Sequence, residues 1–334
     1  MSLVCITGVG LVSSLGVGQE AHLPLRPRVL DESSFAPWAV HPMPALGMET
    51  VIPRKEFRQM EDLQRLGTYT AGLALSDAGA AGLGAGMDLV VASGGGERDA
   101  ALDEAILSEL SAIAPEAREA HIHRRLSQGL RPTLFLAQLP NLLAGSISIV
   151  HKVGGSSRTL MGEEAAGAEA VRIAAARVAA GTAAMVLVGG ASQPARWENL
   201  LIYAPFLHQG GWCPTAVRPG MVMGAQAAFL VLESAEHAAA RGARVLARLS
   251  GVSAAPGLGM VPARPGLNVS AHAGGPAAVG DEWLADWLGA GLEAAFPVGI
   301  ALAALRVAAG DAAVAVHGAG HADGAFSAVV EPAR

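Results

Sequence analysis

The sequence predicts an α/β protein whose sheets are buried on both faces. Three observations carry this: apolar runs of strand length bounded by glycine, Ala- and Leu-rich stretches of helical period between them, and a composition 51% hydrophobic and 16% charged. Strands covered on both faces read as near-continuous apolar runs, and their alternation with helices is the α/β signature. A chain of 334 residues has room for one large domain or two ordinary ones.

Taken in order, Leu3 to Thr7 is an apolar run stopped by Gly8 and Gly10, a strand entering a tight turn. Residues 18–53 are proline-rich and aperiodic. From Lys55 to Gly82, residues such as Met60, Leu63, Leu66, Tyr69 and Leu73 recur at helical spacing. Asp88 to Ser93 is a strand running into Gly94-Gly95-Gly96, and residues 97–129 are charged and helical. Between Pro132 and Val150, the stretch Ile147 to Val150 reads as a strand. Gly162 to Gly181 is an Ala-rich helix, and Ala184 to Val188 is a buried strand stopped by Gly189-Gly190. Met221 to Leu232 contains another strand, and Arg244 to Val252 a further one. The tail alternates: helices over Glu282 to Gly289 and Ala294 to Ala309, then strands Ala312 to Val316 and Phe326 to Val330 around a Gly/His loop. No short-period repeat is visible.

Composition narrows the function. A net charge of −6 argues against nucleic acid as the main partner. The longest apolar run, Ala294 to Leu305, has 12 residues and contains Pro297 and Gly299, short of the about 18–20 a membrane span needs. The N-terminus lacks the basic flank and apolar stretch of a secretory signal. Cys5 and Cys213 are too few for a disulfide scaffold or a zinc site and fit a reducing cytoplasm. The only lysines are Lys55 and Lys152, so none follows position 152.

Gly8-Val9-Gly10 after a strand has the opening of a dinucleotide-binding turn, but Ser13 stands at the third glycine position and no clear helix follows. A tight strand-to-loop turn is the reading adopted.

Leu3 to Gly16, Arg58-Gln59-Met60-Glu61 leading to Asp77-Ala78-Gly79, Asn141 to Ser148, Gly181 to Ser192, Arg218 to Gly224, Val231-Leu232-Glu233 and His237 to Arg248 follow one another in an order that resembles the β-ketoacyl synthases of fatty-acid and polyketide synthesis. The likeness runs over residues 1–250. It implies the thiolase-like layered αβαβα fold of two related halves, here 1–242 and a shortened 243–334, the latter having 92 residues.

That family's nucleophilic cysteine sits where a strand turns into a buried helix, followed by two small residues and a glycine. Met161-Gly162-Glu163-Glu164-Ala165-Ala166-Gly167 puts Glu164 at that position. A helix N-terminus that would activate a thiolate instead holds a carboxylate ionised, a poor acyl acceptor. Of the two histidines that stabilise the family's enolate, the resemblance assigns His272, in Asn268 to Gly275, to the first and Ala290 to the second. The family's lysine has no counterpart, and Gly318 to Gly324 is a degenerate version of its closing glycine loop.

The resemblance therefore implies a ketosynthase relative without condensing activity of its own and without a cofactor, similar to the chain-length factors that pair with an active ketosynthase and line its acyl tunnel, as in type II and aryl-polyene pathways. Leu134, Phe135, Leu136 and Leu139 lie in the segment through which the family dimerises and would face the partner's tunnel. Two alternatives stay open: altered chemistry on acyl thioesters using Glu164 and His272, and a non-catalytic homodimer that binds acyl groups or acyl carrier protein.

Other groups have a bland reading beside a sharp one. Glu164 is a helix-capping carboxylate or a general base. His272, His317 and His321 have no recognised metal-ligand spacing, and no metal site is expected. Cys213 beside His208 is an ordinary buried thiol, and Asp281 and Asp286 are surface or cap residues. Arg54, Lys55, Arg58 and Arg65, and separately His121, His123, Arg124, Arg125 and Arg131, are solvated helix faces or contacts for an acidic carrier protein.

Overall fold

Apolar runs such as Met185 to Val188 and Phe229 to Leu232 leave a strand no wet side, and the part of the sheet they build is covered on both faces. A computed structural model describes residues 2–95, 98–132, 134, 138–255 and 265–333. The strands are β1 (Val4–Ser13), β2 (Gly16–Val17), β3 (Val40–His41), β4 (Asp88–Ser93), β5 (Ser157–Leu160), β6 (Met185–Ser192), β7 (Met223–Gly224), β8 (Gln226–Ser234), β9 (Ala247–Ala255), β10 (Leu267–Asn268), β11 (Glu282–Trp283), β12 (Val314–Ala319) and β13 (Ala325–Glu331). All but β3 and β7, which pair with each other, join one 11-stranded sheet in the order β11-β10-β12-β13-β9-β1-β8-β6-β4-β5, with β2 folded back on β1.

That order is one pattern used twice. Within residues 4–234 the main strands lie third, second, fourth, fifth, first across the sheet (β5-β4-β6-β8-β1), and β11-β10-β12-β13-β9 repeats it. Directions repeat too: in each half the outer two pairings are parallel and the inner two antiparallel. The first strands meet at the join, Cys5 opposite Arg248 and Ile6 opposite Ala247. Each half also sends a buried helix from its third strand to its fourth, Glu163–Ala179 and Ala295–Ala308. The chain is thus two related halves.

The period of two along the strands sorts side chains between two cores. Val90, Val186, Val188, Leu230 and Leu232 point to the two buried helices and form one core with Leu249, Val316 and Phe326 of the second half. Leu89, Val91, Leu187, Phe229 and Val231 point the other way, onto the helices Asp62–Asp77 and Leu142–His151. The second half has no such outer helices among the described residues. Eleven residues separate β9 from β10, fewer than the 16 of helix Asp62–Asp77. The outer face of β13 accordingly alternates, with Ser327 exposed between buried Phe326 and Ala328.

Three local expectations are corrected. Gly8 and Gly10 do not turn the chain: β1 runs on to Ser13. Added Cβ atoms there would lie 2.4 Å from Ala74 O and 2.0 Å from Thr70 O, so these glycines seat the helix Asp62–Asp77 on the strand. Gly189-Gly190 likewise lies inside β6. Ile147 to Val150 is helical, within Leu142–His151, because Leu143, Ala144 and Ile147 share one buried face.

Candidate functional site

The two buried helices open on the same local sequence, Gly162-Glu163-Glu164-Ala165-Ala166 and Gly291-Leu292-Glu293-Ala294-Ala295. In each, the residue after glycine sits in the left-handed region, Glu163 at φ 57° and Leu292 at φ 43°. Non-glycine residues hold that conformation at a cost, and such strain gathers at functional turns. The next residue in each half is a buried glutamate, Glu164 at 2% and Glu293 at 5% exposure. The two openings lie against each other. Cβ atoms added to Gly167 and Gly190 would lie 2.3 Å and 2.4 Å from Glu293 O, so only glycine lets the second-half turn come this close.

Glu164 makes no cap bond to its helix; the N-cap position is Gly162 and carries none. Its carboxylate goes to His321, whose Nδ1 lies 3.2 Å and 3.1 Å from its two oxygens. The other ring nitrogen, Nε2, faces Glu163 Oε2 at 3.5 Å. Glu163 Oε1 accepts the Tyr203 hydroxyl at 2.7 Å. Tyr203 and Phe206 pack edge-on against the imidazole, with centroids 5.5 Å and 5.3 Å away. Burial works against charge on His321, but the bond to Glu164 and the charges of Glu164, Glu163 and Glu293 outweigh it and raise its pKa. Burial, the bond to Glu163 and the surrounding glutamates push the Tyr203 hydroxyl well above the phenol range.

Glu163, Glu164 and His321 bring ligand atoms within 4.8 Å of one another. The imidazole turns a different nitrogen to each glutamate, so a cation on one nitrogen would face only one carboxylate. This is the geometry of an imidazolium bridging two anions.

Glu293 is held differently. Burial, with the charges of Glu164 and Glu163, pushes its carboxyl up to about 7. It lines a cavity of about 310 Å³ together with Glu163, Tyr203, Gln193, Asn199, Met161 and Ile202. Gly94, at the end of β4, gives the carboxyl its space: a Cβ there would lie 3.0 Å from Glu293 Oε1.

The structure places the other expected residues as follows. His272 stands next to the site, its Nε2 donating to Gly320 O at 3.2 Å while its Nδ1 accepts Gly274 N–H at 3.1 Å. Both ring nitrogens are thereby committed to main chain. Gly320 in turn touches Glu164, 3.4 Å from an added Cβ to Oε2. Ala290 is buried at 1% exposure, with its N–H on Val222 O and its C=O on Gly224 N–H. Leu134 is buried within the chain and Leu139 is exposed; Phe135 and Leu136 lie outside the described residues. His317 is paired with Asp281 at 2.9 Å, so the three histidines do not converge. Asp281 is no surface residue. Its side chain is buried and also accepts Gly266 N–H, Ala278 N–H and the Asn268 amide. Asp286 anchors Thr215 through two 2.6 Å bonds. Cys213 Sγ lies 3.9 Å from His208 Nε2. The basic run from Arg54 is split between a short helix, Arg54–Phe57, and helix Asp62–Asp77. In the second run, His121 and Arg125 share Glu109, and Arg131 pairs with Glu61.

Glu163, Glu293, His321 as an ion-pair partner and Tyr203 were missed by sequence reasoning. The signal for the first two was available in the repeated Gly-x-Glu-Ala-Ala; the pairing of residues 164 and 321 depends on the closed fold.

Comparison with known proteins places residues 48–238 under the family model described as Beta-ketoacyl synthase, N-terminal domain. Nodulation protein E of Rhizobium leguminosarum bv. trifolii is 36% identical over 120 residues, 34% of this chain and 29% of that protein. The 3-oxoacyl-(acyl-carrier-protein) synthase 2 of Rhizobium meliloti (strain 1021) is 34% identical over 138 residues, 38% of this chain and 32% of that protein. The matches thus span about a third of these curated relatives. The structure of the ishigamide ketosynthase/chain length factor superposes with TM-score 0.74 at 19% identity, covering 100% of both chains, which shows that the thiolase-like layered fold is shared.

Proposed function

This chain belongs to the beta-ketoacyl synthase family, and we propose that within it the chain is a non-condensing, chain-length-factor-like subunit that pairs with an active ketosynthase of fatty-acid or polyketide synthesis. One observation carries the reading. At the strained helix start where the resemblance expects a nucleophilic cysteine, two glutamates are tied up by His321 and Tyr203. A carboxylate already paired with an imidazolium is a weak nucleophile, and the anhydride it would form from a thioester is costly. His272, with both nitrogens on main chain, has neither a lone pair for a base nor a free N–H for an enolate.

The open edge of the sheet supports a partner. β5 is the last strand, its Ser157 and Arg158 exposed and its neighbour Met161 62% exposed. Unpaired edges of this kind invite strand addition. In this proposal the chain divides into 1–242 and 243–334, works in the cytoplasm, meets acyl carrier protein through its partner, and offers exposed Leu139 to the partner's tunnel, while Leu134 packs inside its own chain. Among the described residues no helix is long and apolar enough to cross a membrane.

Co-expression with an active ketosynthase of the same genome tests the reading. A stable complex, faster or longer-chain condensation by the pair, and no acyl adduct on this chain are expected. Separate species with a ketosynthase equally active alone overturn it.

A further inference from the structure

The cavity beside Glu293 shares Glu163 and Tyr203 with the site above, but the subunit role assigns it no ligand. Its volume, about 310 Å³, is at the lower end of small-ligand clefts. Its polar wall is rich in acceptors. The Glu293 carboxyl is buried with Glu163 and Glu164 as its charged neighbours and accepts main-chain N–H groups. Gln193, 8% exposed, also lines the cavity, and its Oε1 is buried without a hydrogen-bond partner. A buried acceptor left unpaired costs about 1–3 kcal/mol, so this amide is placed to receive a donor. Tyr203 donates to Glu163, and the Arg196 guanidinium, also in the wall, donates through Nε to Gln193 O and stands 3.5 Å from Glu198, which balances its charge. Around these groups Leu63, Met161, Ile202 and Leu292 form an apolar lining.

We propose that this cavity binds the protonated amine of a primary alkylamine, its N–H groups on the Glu293 carboxylate and Gln193 Oε1 and its aliphatic chain along Leu63, Met161, Ile202 and Leu292. An ammonium supplies three donors and a counter-charge for Glu293, which, unlike Glu163 and Glu164, has no ion-pair partner among the described residues. An alcohol of the same length satisfies Gln193 without neutralising Glu293, and a carboxylate meets Glu293 and Glu163 as a like charge.

Isothermal titration of the full chain at pH 8 with hexylamine, hexanol and hexanoate decides it. Hexylamine is expected to bind, hexanol at least tenfold more weakly, and hexanoate not at all. Glu293→Gln, checked for folding by circular dichroism, is expected to weaken hexylamine at least tenfold and leave hexanol unchanged. Gln193→Leu, a second and independent variant, is expected to weaken both. Absence of hexylamine binding, equal affinity for hexylamine and hexanol, or hexylamine binding indifferent to both substitutions overturns the proposal. None of these outcomes depends on whether a ketosynthase partner exists.

Discussion

Glu164 and His321, 157 residues apart, form an ion pair whose side chains are 3% and 4% exposed, with Nδ1 3.1 Å from Oε2. Removing one partner of a buried pair strands the other charge, at a cost of about 3–5 kcal/mol. His321→Ala is expected to destabilise the chain by that order in urea unfolding, and His321→Leu combined with Glu164→Leu by clearly less than the two single changes added. Strict additivity would show that the two side chains do not interact.

The same pair sets a pH dependence. The folded pKa of His321 is raised, so its contribution is complete below the unfolded imidazole value, about 6.5, and is lost as pH rises through the folded one. Unfolding free energy is expected to decline above neutrality in the wild type and to lose that component in His321→Gln, as read from urea midpoints across pH 6 to 9.

Glu293 acts in the same direction over a lower window. Its folded pKa of about 7 lies above the unfolded carboxyl value of about 4.3. The folded state therefore holds the extra proton, and stability falls between those two values and stays reduced above them. Glu293→Gln removes the penalty while keeping an acceptor. It is expected to stabilise the chain at pH 8, by up to about 3 kcal/mol from the size of the shift, and to make little difference at pH 4. A variant less stable than wild type at pH 8 would show that the carboxylate, not the acid, is the favoured form.

Gly190 lies where the halves touch. An alanine Cβ there would sit 2.4 Å from Glu293 O and 3.2 Å from Ala92 O, both main-chain atoms that cannot swing aside. Gly190→Ala is expected to cost about 1–3 kcal/mol by overpacking. Gly145→Ala is the control: it has nothing within 4 Å of the added Cβ and lies in a helix, so a gain of about 0.5–1 kcal/mol is expected. Equal effects at the two positions would contradict the close approach.

Most of the fold was legible because the strands are apolar enough to need cover on both sides: Asp88 to Ser93 and the helix after Gly162 emerge as read. Gly8 and Gly10 misled because a glycine that admits a neighbouring helix looks, in one dimension, the same as one that turns the chain. Ile147 to Val150 misled because β-branched residues suit a strand until a buried helical face claims them. At the site, Glu164 and the neighbourhood of His272 were found through family order, whereas His321 has no local signal, since its role depends on a partner 157 residues earlier. Asp281 reads as a surface or cap residue because the sequence does not reveal the four donors that surround it.

The edge of β5 gives the last prediction. Leu89 N–H donates to Ser156 O at 2.8 Å, and β5 runs parallel to β4 with Ser157 opposite Leu89. In a parallel ladder alternate residues turn both main-chain groups to the same neighbour. Ser156, Arg158 and Leu160 therefore face β4, and Ser157 and Thr159 turn outward to the free edge. Proline is tolerated at an edge position whose N–H points away from the ladder. Thr159→Pro should thus keep β4 and β5 paired, with an unchanged circular dichroism spectrum, while deleting a donor from the edge and placing a ring across it. If this edge holds the partner strand, the substitution abolishes co-purification with the ketosynthase, whereas Ser327→Ala, at an exposed position of β13 in the second half, leaves association untouched. Continued co-purification of Thr159→Pro would move the interface away from β5.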